Sequence, residues 1–406
     1  MRKTVAILCT LDTKGPEAAW VREQVEALGG AALLIDIGVL GQPGVRADVT
    51  REQVAAAGGQ SLAALLASPT RQFASPVMVA GATALLLRAV TEGRVHAVVG
   101  LGGTQGTPNC CQVMQALPYG FPKVMVSTVA SGDVAPFVGI KDVTMMFSVS
   151  DILGLNPLTR KILANAAAAA FGMASSPVSL EAASNGKPVI GMSNLGVLTE
   201  GALQAVRLFH ERGYEVVVFH AVGSGGRAME QLMRDGVIGA VFDYAMGELA
   251  DEMYHGLRAA DAQRLTVAGD LGLPQVLCPG GLEHIGLLVP PNEVPAAWRD
   301  HLYVFHNPVI LAPRLNAAEL VALAREIGRR LQHTRGRACL MLPLRGTSRY
   351  GVEDGALRDA AGDRAFFAAL RAAVPDTIEV VERDLGAEDP AFVAEAVERL
   401  IALIEA

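Results

Sequence analysis

Four short segments combine residue types that can do chemistry with backbone that can approach a ligand. Gly100-Leu-Gly-Gly-Thr-Gln-Gly-Thr107 sits between an apolar run from Val95 and a helical segment starting near Pro108. Glycines let the chain turn sharply with no Cβ in the way. Free N–H groups at the start of the following helix then favour an anion, so a phosphate is the natural guest of Gly102, Gly103, Thr104, Gln105, Gly106 and Thr107. The plain alternative is a tight strand-to-helix turn that needs glycine for packing alone. His220-Ala-Val-Gly-Ser-Gly-Gly-Arg227 repeats the pattern after Val216–Phe219. There Gly223, Ser224, Gly225 and Gly226 would form the turn, and Arg227 could fork onto a phosphate or carboxylate. His220 could serve as base, donor or metal ligand.

Thr10-Leu-Asp-Thr-Lys-Gly-Pro-Glu17 ends the first apolar run, where Lys14 could meet a phosphate and Asp12 a metal or a ribose hydroxyl. Capping and helix initiation at Pro16 explain the same residues without a ligand. Ser127-Thr-Val-Ala-Ser-Gly-Asp133 offers the hydroxyls of Ser127, Thr128 and Ser131 and the carboxylate of Asp133, or simply a polar loop. His306-Asn307-Pro308 and Leu342-Pro-Leu-Arg-Gly346 end later apolar runs and could line a second cleft, making His306 a third catalytic candidate beside His220 and Arg227. Cys278-Pro-Gly-Gly281, followed by Glu283 and His284, reads as a buried thiol beside a backbone turn, since no nucleophile context surrounds it. Several motifs are missing. The third glycine of a dinucleotide fingerprint falls one residue late at Gly106, no G-x-x-x-x-G-K-[ST] occurs, and no His/Cys spacing argues for structural zinc.

These segments need a scaffold that brings strand ends together. Thr4–Cys9, Ala31–Ile37, Val95–Leu101, Lys123–Ser127 and Val143–Ser148 read as short buried strands, with a helix from Pro16 to Leu28 and another over Asn165–Ala174. Near-continuous apolar strands alternating with helices predict a doubly wound, mostly parallel sheet. A second series, Val189–Ser193, Glu215–His220, Val237–Asp243, Gln275–Cys278 and Arg337–Leu342, predicts a second such domain, with the boundary near residues 175–188. The two domains are thus expected over 1–182 and 183–384, separated by a cleft. The last helix, about Pro390–Ile404, is expected to cross back so that 385–406 joins the first domain. Gly120-Phe-Pro122 and Gly272-Leu-Pro274 each lead a strand, a faint parallel between the halves.

Composition bounds the rest. With 51% hydrophobic and 18% charged residues, the 406-residue chain has the apolar content for large cores and is not a disordered one. A formal charge of −7 argues against nucleic acid held by bulk charge. No run of about 18 uncharged apolar residues marks a membrane span, so no membrane partner is expected. The mean hydropathy of +0.34 points to large cores and a subunit interface. An odd count of five cysteines, none in a C-x-x-C pair, fits a reduced cytoplasmic chain.

Taken in order, Leu11–Glu17, Gly100–Thr107, Val126–Asp133, Phe219–Glu230 and Leu342–Gly346 resemble the ATP-binding family typified by the amino-terminal module of the tomato mosaic virus resistance protein. The resemblance covers nearly the whole chain. It implies two Rossmann-like domains, ATP with Mg²⁺ as cofactors, a first domain built from both chain ends, and a homodimer or higher homo-oligomer. It implies no established reaction. Gln105 stands where that family has glycine. Three functions follow as expectations: an Mg-dependent enzyme using ATP on a small anionic substrate, a non-catalytic nucleotide-binding module that recruits a protein partner, or an enzyme for a phosphorylated or carboxylated metabolite without nucleotide.

Overall fold

A computed structural model describes residues 2–178 and 186–406, which fall in two compact units, Met1–Leu180 and Glu181–Ala406. The first unit runs β1 (Thr4–Cys9), α1 (Leu11–Ala27), β2 (Ala31–Asp36), α2 (Arg51–Ala57), α3 (Leu62–Ala67), α4 (Arg71–Thr91), β3 (Ala97–Gly102), α5 (Gly106–Gln115), β4 (Lys123–Ser127), α6 (Ala135–Val138), β5 (Thr144–Phe147) and α7 (Pro157–Ala174). Its five strands pair in the order β2-β1-β3-β4-β5, every pairing parallel. Alternation along β1 shows why both faces are apolar. Val5, Ile7 and Cys9 pack with α1 and α7, while Ala6 and Leu8 pack with α4 and α5. The first helix is kinked at Lys14, whose φ and ψ are not helical, so the regular helix starts at about Pro16.

The 21-residue α4 is long and apolar enough, by length and composition alone, to cross a membrane. Here it packs on α2 and α5. Its Gly81 is required, because a Cβ there would lie 1.9 Å from the carbonyl oxygen of Val54 on α2.

The second unit runs β6 (Ile190–Asn194), α8 (Thr199–Glu211), β7 (Val216–His220), α9 (Ser224–Arg234), β8 (Ala240–Ala245), α10 (Glu248–Met253), α11 (Val267–Leu271), β9 (Gln275–Gly280), β10 (Leu287–Leu288), β11 (Tyr303–Asn307), β12 (Ile310–Pro313), α12 (Ala317–Leu331), β13 (Ala338–Pro343), α13 (Ala360–Ala373), β14 (Glu379–Arg383) and α14 (Pro390–Glu405). The order of the main sheet is β14-β13-β9-β8-β6-β7, again wholly parallel. A small antiparallel sheet, β10-β12-β11, is inserted after β9 and has no counterpart in the sequence reading.

Both sheets place their second strand outside the first and build the remainder on the other side. Each therefore has a topological switch point, between β1 and β3 and between β6 and β8. The strands β4 and β9, which follow the two Gly-x-Pro segments, are the fourth of their sheets.

The last helix corrects one expectation. Phe392, Val393, Ala396, Val397, Leu400 and Ile401 are buried in the second domain's own core, and α14 packs on α8, β8, β9 and β13. The first domain is not completed by the chain's end. The short 384–389 connection lets α14 return directly onto its own sheet, beside α8.

Candidate functional sites

Each switch point opens into a cavity. In the first domain a cavity of about 220 Å³ is lined by Thr10, Asp12 and Thr13 after β1, Gly38 after β2, Arg71 and Ser75 on α4, and Gln105 and Asn109 at the start of α5. Of the glycine turn only Gln105 lines this cavity, with Gly102, Gly103, Thr104 and Gly106 outside its lining, and the turn divides into two parts. A Cβ on Gly100 would meet Met125 Sδ at 2.6 Å, and one on Gly102 would meet the Gly106 carbonyl carbon and Thr107 nitrogen at 2.5 Å, so packing alone demands these two. Gly103 and Gly106 have no such neighbour within 3.4 Å and no positive φ. Among the described residues, the N–H groups of Gly103, Thr104 and Gln105 have no protein acceptor, and the Gln105 side chain does not cap α5. That leaves a row of donors at a helix start.

The side chains around this row are partly committed. Gln105 and Asn109 donate to Ser75 Oγ at 3.3 and 3.5 Å, tying α5 to α4. Arg71 is exposed and has no acidic partner among the described residues. Asp12 Oδ2 accepts from Gly41 N at 3.1 Å, while its buried Oδ1 has no partner. Behind it, Asp36 accepts from Leu11 N and Gly38 N at 3.0 and 2.8 Å. Burial raises the Asp36 pKa, those two N–H groups oppose the rise, and the nearby Asp12 adds to it.

Several expected ligand residues are used by the fold. Thr107 and Ser127 are fully buried and bonded to each other at 2.7 Å. Lys14 Nζ donates to Ile152 O at 2.5 Å and is not among the cavity's residues. Asp133 caps Ala135 N at 3.0 Å, and neither it, Thr128 nor Ser131 reaches the cavity. Thr104 stays exposed on the turn.

The second glycine turn is already occupied. Glu248, fully buried at the start of α10, accepts from Gly223 N and Gly226 N through Oε1 at 2.6 and 3.1 Å. Its Oε2 meets Arg264 Nε at 2.8 Å, and Arg264 also grips Asp243. All three glycines are sterically required: Cβ atoms at 223, 225 and 226 would lie 2.5, 1.8 and 2.1 Å from Ala259 O, His220 O and Glu248 Oε2. The expectation that Gly223, Ser224, Gly225 and Gly226 cradle a ligand is corrected for Gly223 and Gly226, whose N–H groups are taken by the protein's own carboxylate. Arg227 is exposed with its Nε on Gly223 O at 3.3 Å, and it lies away from the domain's cavity.

That cavity, of about 250 Å³, does bring His220 and His306 together, and it adds His284, Arg258 and Tyr350. Its apolar walls include Leu195, Val197 and Ile310. Arg258 is neutralised by bidentate contact with Asp251, the closest at 2.7 Å. Among the described residues no three His, Cys, Asp or Glu side chains are grouped to hold a metal ion. Cys278 is buried, and burial pushes its thiol well up. Sequence reasoning passed over Arg71, Ser75, Asn109, Arg258 and Tyr350, which belong to no motif and meet the site only through the fold.

Two parallel sheets in the same strand order, each with a cavity at its switch point, define a two-domain doubly wound α/β protein. Models of the Uncharacterised protein family (UPF0261) match its two parts, the N-terminal domain over residues 3–179 and the C-terminal domain over 187–404. The chain belongs to this family. A UPF0261 protein of Clostridium tetani is 37% identical over 100% of both chains, and one of Rhizobium meliloti is 38% identical over 97% of this chain and 98% of the other. The ToMV resistance protein Tm-1(GCR237) of Solanum lycopersicum is 33% identical over 281 residues, 68% of this chain but 37% of that protein. Among solved structures, MurG of Acinetobacter baumannii aligns over 98% of this chain and 99% of its own, at 14% identity and a TM-score of 0.22.

Proposed function

We propose that the first domain binds a nucleotide of the ATP class in the crevice between the ends of β1 and β3. One observation carries the reading: the N–H groups of Gly103, Thr104 and Gln105 are left without acceptors beside glycines that packing does not require. Phosphates suit such a row. Arg71 lies on the same cavity as a guanidinium without a carboxylate partner, suited to a charge-assisted contact. Asp12, with one carboxylate oxygen unpartnered, suits a ribose hydroxyl. Mg²⁺ would come with the nucleotide, since such ions commonly keep one or two carboxylates, water and phosphate oxygens as ligands. In this reading the domain's residues bind and orient.

A thermal-shift and calorimetry series with ATP, ADP and AMP, with and without Mg²⁺, tests it. Ligand at about 100 times its Kd stabilises by about 2.7 kcal/mol, a readable rise in melting temperature. Gly103→Val should fold normally and lose the response, because a branched side chain would stand where the phosphate must approach. Arg71→Met should weaken binding by roughly 10- to 150-fold, from the loss of about 1.5–3 kcal/mol in a charge-assisted hydrogen bond. Wild-type affinity in a folded Gly103→Val protein would remove the turn from the binding site.

A further inference from the structure

The second domain's cavity has a built acid–base element on its wall. β9 ends at Gly280, and Gly281, at φ +68°, turns the chain so that Glu283 and His284 follow within four residues. The loop after β13 fixes them: Gly281 N donates to Thr347 O at 3.0 Å, Thr347 Oγ1 donates to Glu283 Oε2 at 2.5 Å, and Ser348 Oγ donates to Glu283 Oε1. Burial pushes the Glu283 carboxyl upward, but the charge and contact of His284 and the two hydroxyls outweigh it and bring the pKa down to about 2. Glu283 is an anion throughout the neutral range.

His284 is only 3% exposed, lines the cavity, and has its Nδ1 3.2 Å from Glu283 Oε1. Nδ1 has no hydrogen-bond partner that meets ideal geometry, so the pair is a close electrostatic contact. An anion this close favours the tautomer with its proton on Nδ1, which leaves Nε2 as an acceptor. Among the described residues Nε2 has no protein partner. The Tyr350 ring stands edge-on to His284 with centroids 5.6 Å apart, and its hydroxyl lies 3.4 Å from His306 Nδ1. His220 and His306 are exposed at the cavity's mouth.

We propose that His284 Nε2, positioned by Glu283, is the proton acceptor of a binding site for a small neutral enol or phenol. The ligand class follows from the lining. Arg258 is spent on Asp251, so the cavity offers no unpaired fixed cation for a phosphate. Leu195, Val197, Val222, Leu257, Ile285 and Ile310 give an apolar bed for a planar body. In the step itself the ligand's O–H bond breaks, its electron pair stays on oxygen, and the proton bonds to Nε2. The resulting imidazolium is balanced by Glu283, as in a carboxylate–histidine pair. The tyrosine and outer histidines supply hydrogen-bond donors for the oxyanion. This site is independent of the nucleotide reading.

The test uses 4-nitrophenol with the full-length protein, at a pH where the free probe is mostly un-ionised. Saturable appearance of the phenolate absorbance on wild type is expected, with at least a tenfold loss of that signal in His284→Gln. Histidine side-chain ¹⁵N NMR should show His284 protonated on Nδ1, and Glu283→Gln should shift that tautomer balance, which a purely structural carboxylate would not do. Saturable binding with no phenolate band, a band unchanged in His284→Gln, or no saturable binding at all would each overturn the proposal. If His284→Gln fails to fold, the wild-type ¹⁵N shifts of His284 with and without probe decide, since proton uptake at its Nε2 is expected and an unchanged ring would overturn the proposal.

Discussion

The turns at Gly100–Thr107 and His220–Arg227 look alike in sequence and do opposite things. Both follow a parallel strand and open a helix. The second has two of its N–H groups, those of Gly223 and Gly226, taken by Glu248, a buried carboxylate of the same domain, and every glycine in it has a neighbour that a Cβ would meet closer than 3 Å. The first has its donors unfilled and two glycines with room to spare. Position explains the difference. Gly100–Thr107 follows β3, beside the switch point, whereas His220–Arg227 follows the edge strand β7. A glycine-rich helix start presents backbone donors in either case. What differs is whether the fold brings a carboxylate of its own to meet them.

The most damaging change should be at the filled turn. Glu248→Ala strips two backbone donors and Arg264 of a buried partner, and breaking such a pair costs about 3–5 kcal/mol. Denaturant unfolding monitored on the second domain should show that loss, and a change below about 1 kcal/mol would mean the carboxylate is not what holds the turn. Charge beneath the same turn should make stability depend on pH. Glu230 on α9 is pushed up to about 7 by burial, against the opposing pull of Arg264 and its bond from Leu265 N. The folded carboxyl thus holds its proton more tightly than the unfolded one. Its contribution is full below pH 4.5, the ordinary value, and is lost as pH rises towards 7. The loss is on the order of 3 kcal/mol, at about 1.4 kcal/mol per pH unit. Glu230→Gln should flatten that slope in melting curves taken across the same window.

The gentlest pair of variants makes the sharpest contrast. Gly225→Ala would drive a Cβ into His220 O and should cost at least 1–3 kcal/mol, an overpacking penalty of roughly the usual size. Gly103→Ala, with its nearest neighbour at 3.5 Å, should stay within about 0.5 kcal/mol of wild type. Equal costs in thermal melts would erase the distinction between the two turns.

Much of the architecture was legible because buried parallel strands carry their own signature. Thr4–Cys9 and Lys123–Ser127 match β1 and β4 to the residue, since an apolar run flanked by polar or glycine residues has few other places to go. The inserted β10-β12-β11 sheet was not legible. Leu287–Leu288 is too short to show a period, and Tyr303–Asn307 is half exposed. The destination of α14 was also hidden. Its broad apolar face says that it must dock, but says nothing of which sheet it docks on.

The chain's residues by themselves determined the alternation of strand and helix, the two domains, and the presence of two glycine-rich turns at helix starts. These are local properties, set by side-chain hydrophobicity and backbone freedom within a few residues. Only the tertiary structure decided which turn is free, because Glu248 arrives from 22 residues beyond Gly226 and Arg71 from 31 residues before Gly102. It also decided that His284, which in sequence only follows a buried thiol and its glycine turn, faces a cavity with His220, His306 and Tyr350. Partnership between distant groups is fixed by strand order and packing, and no spacing along the chain encodes it.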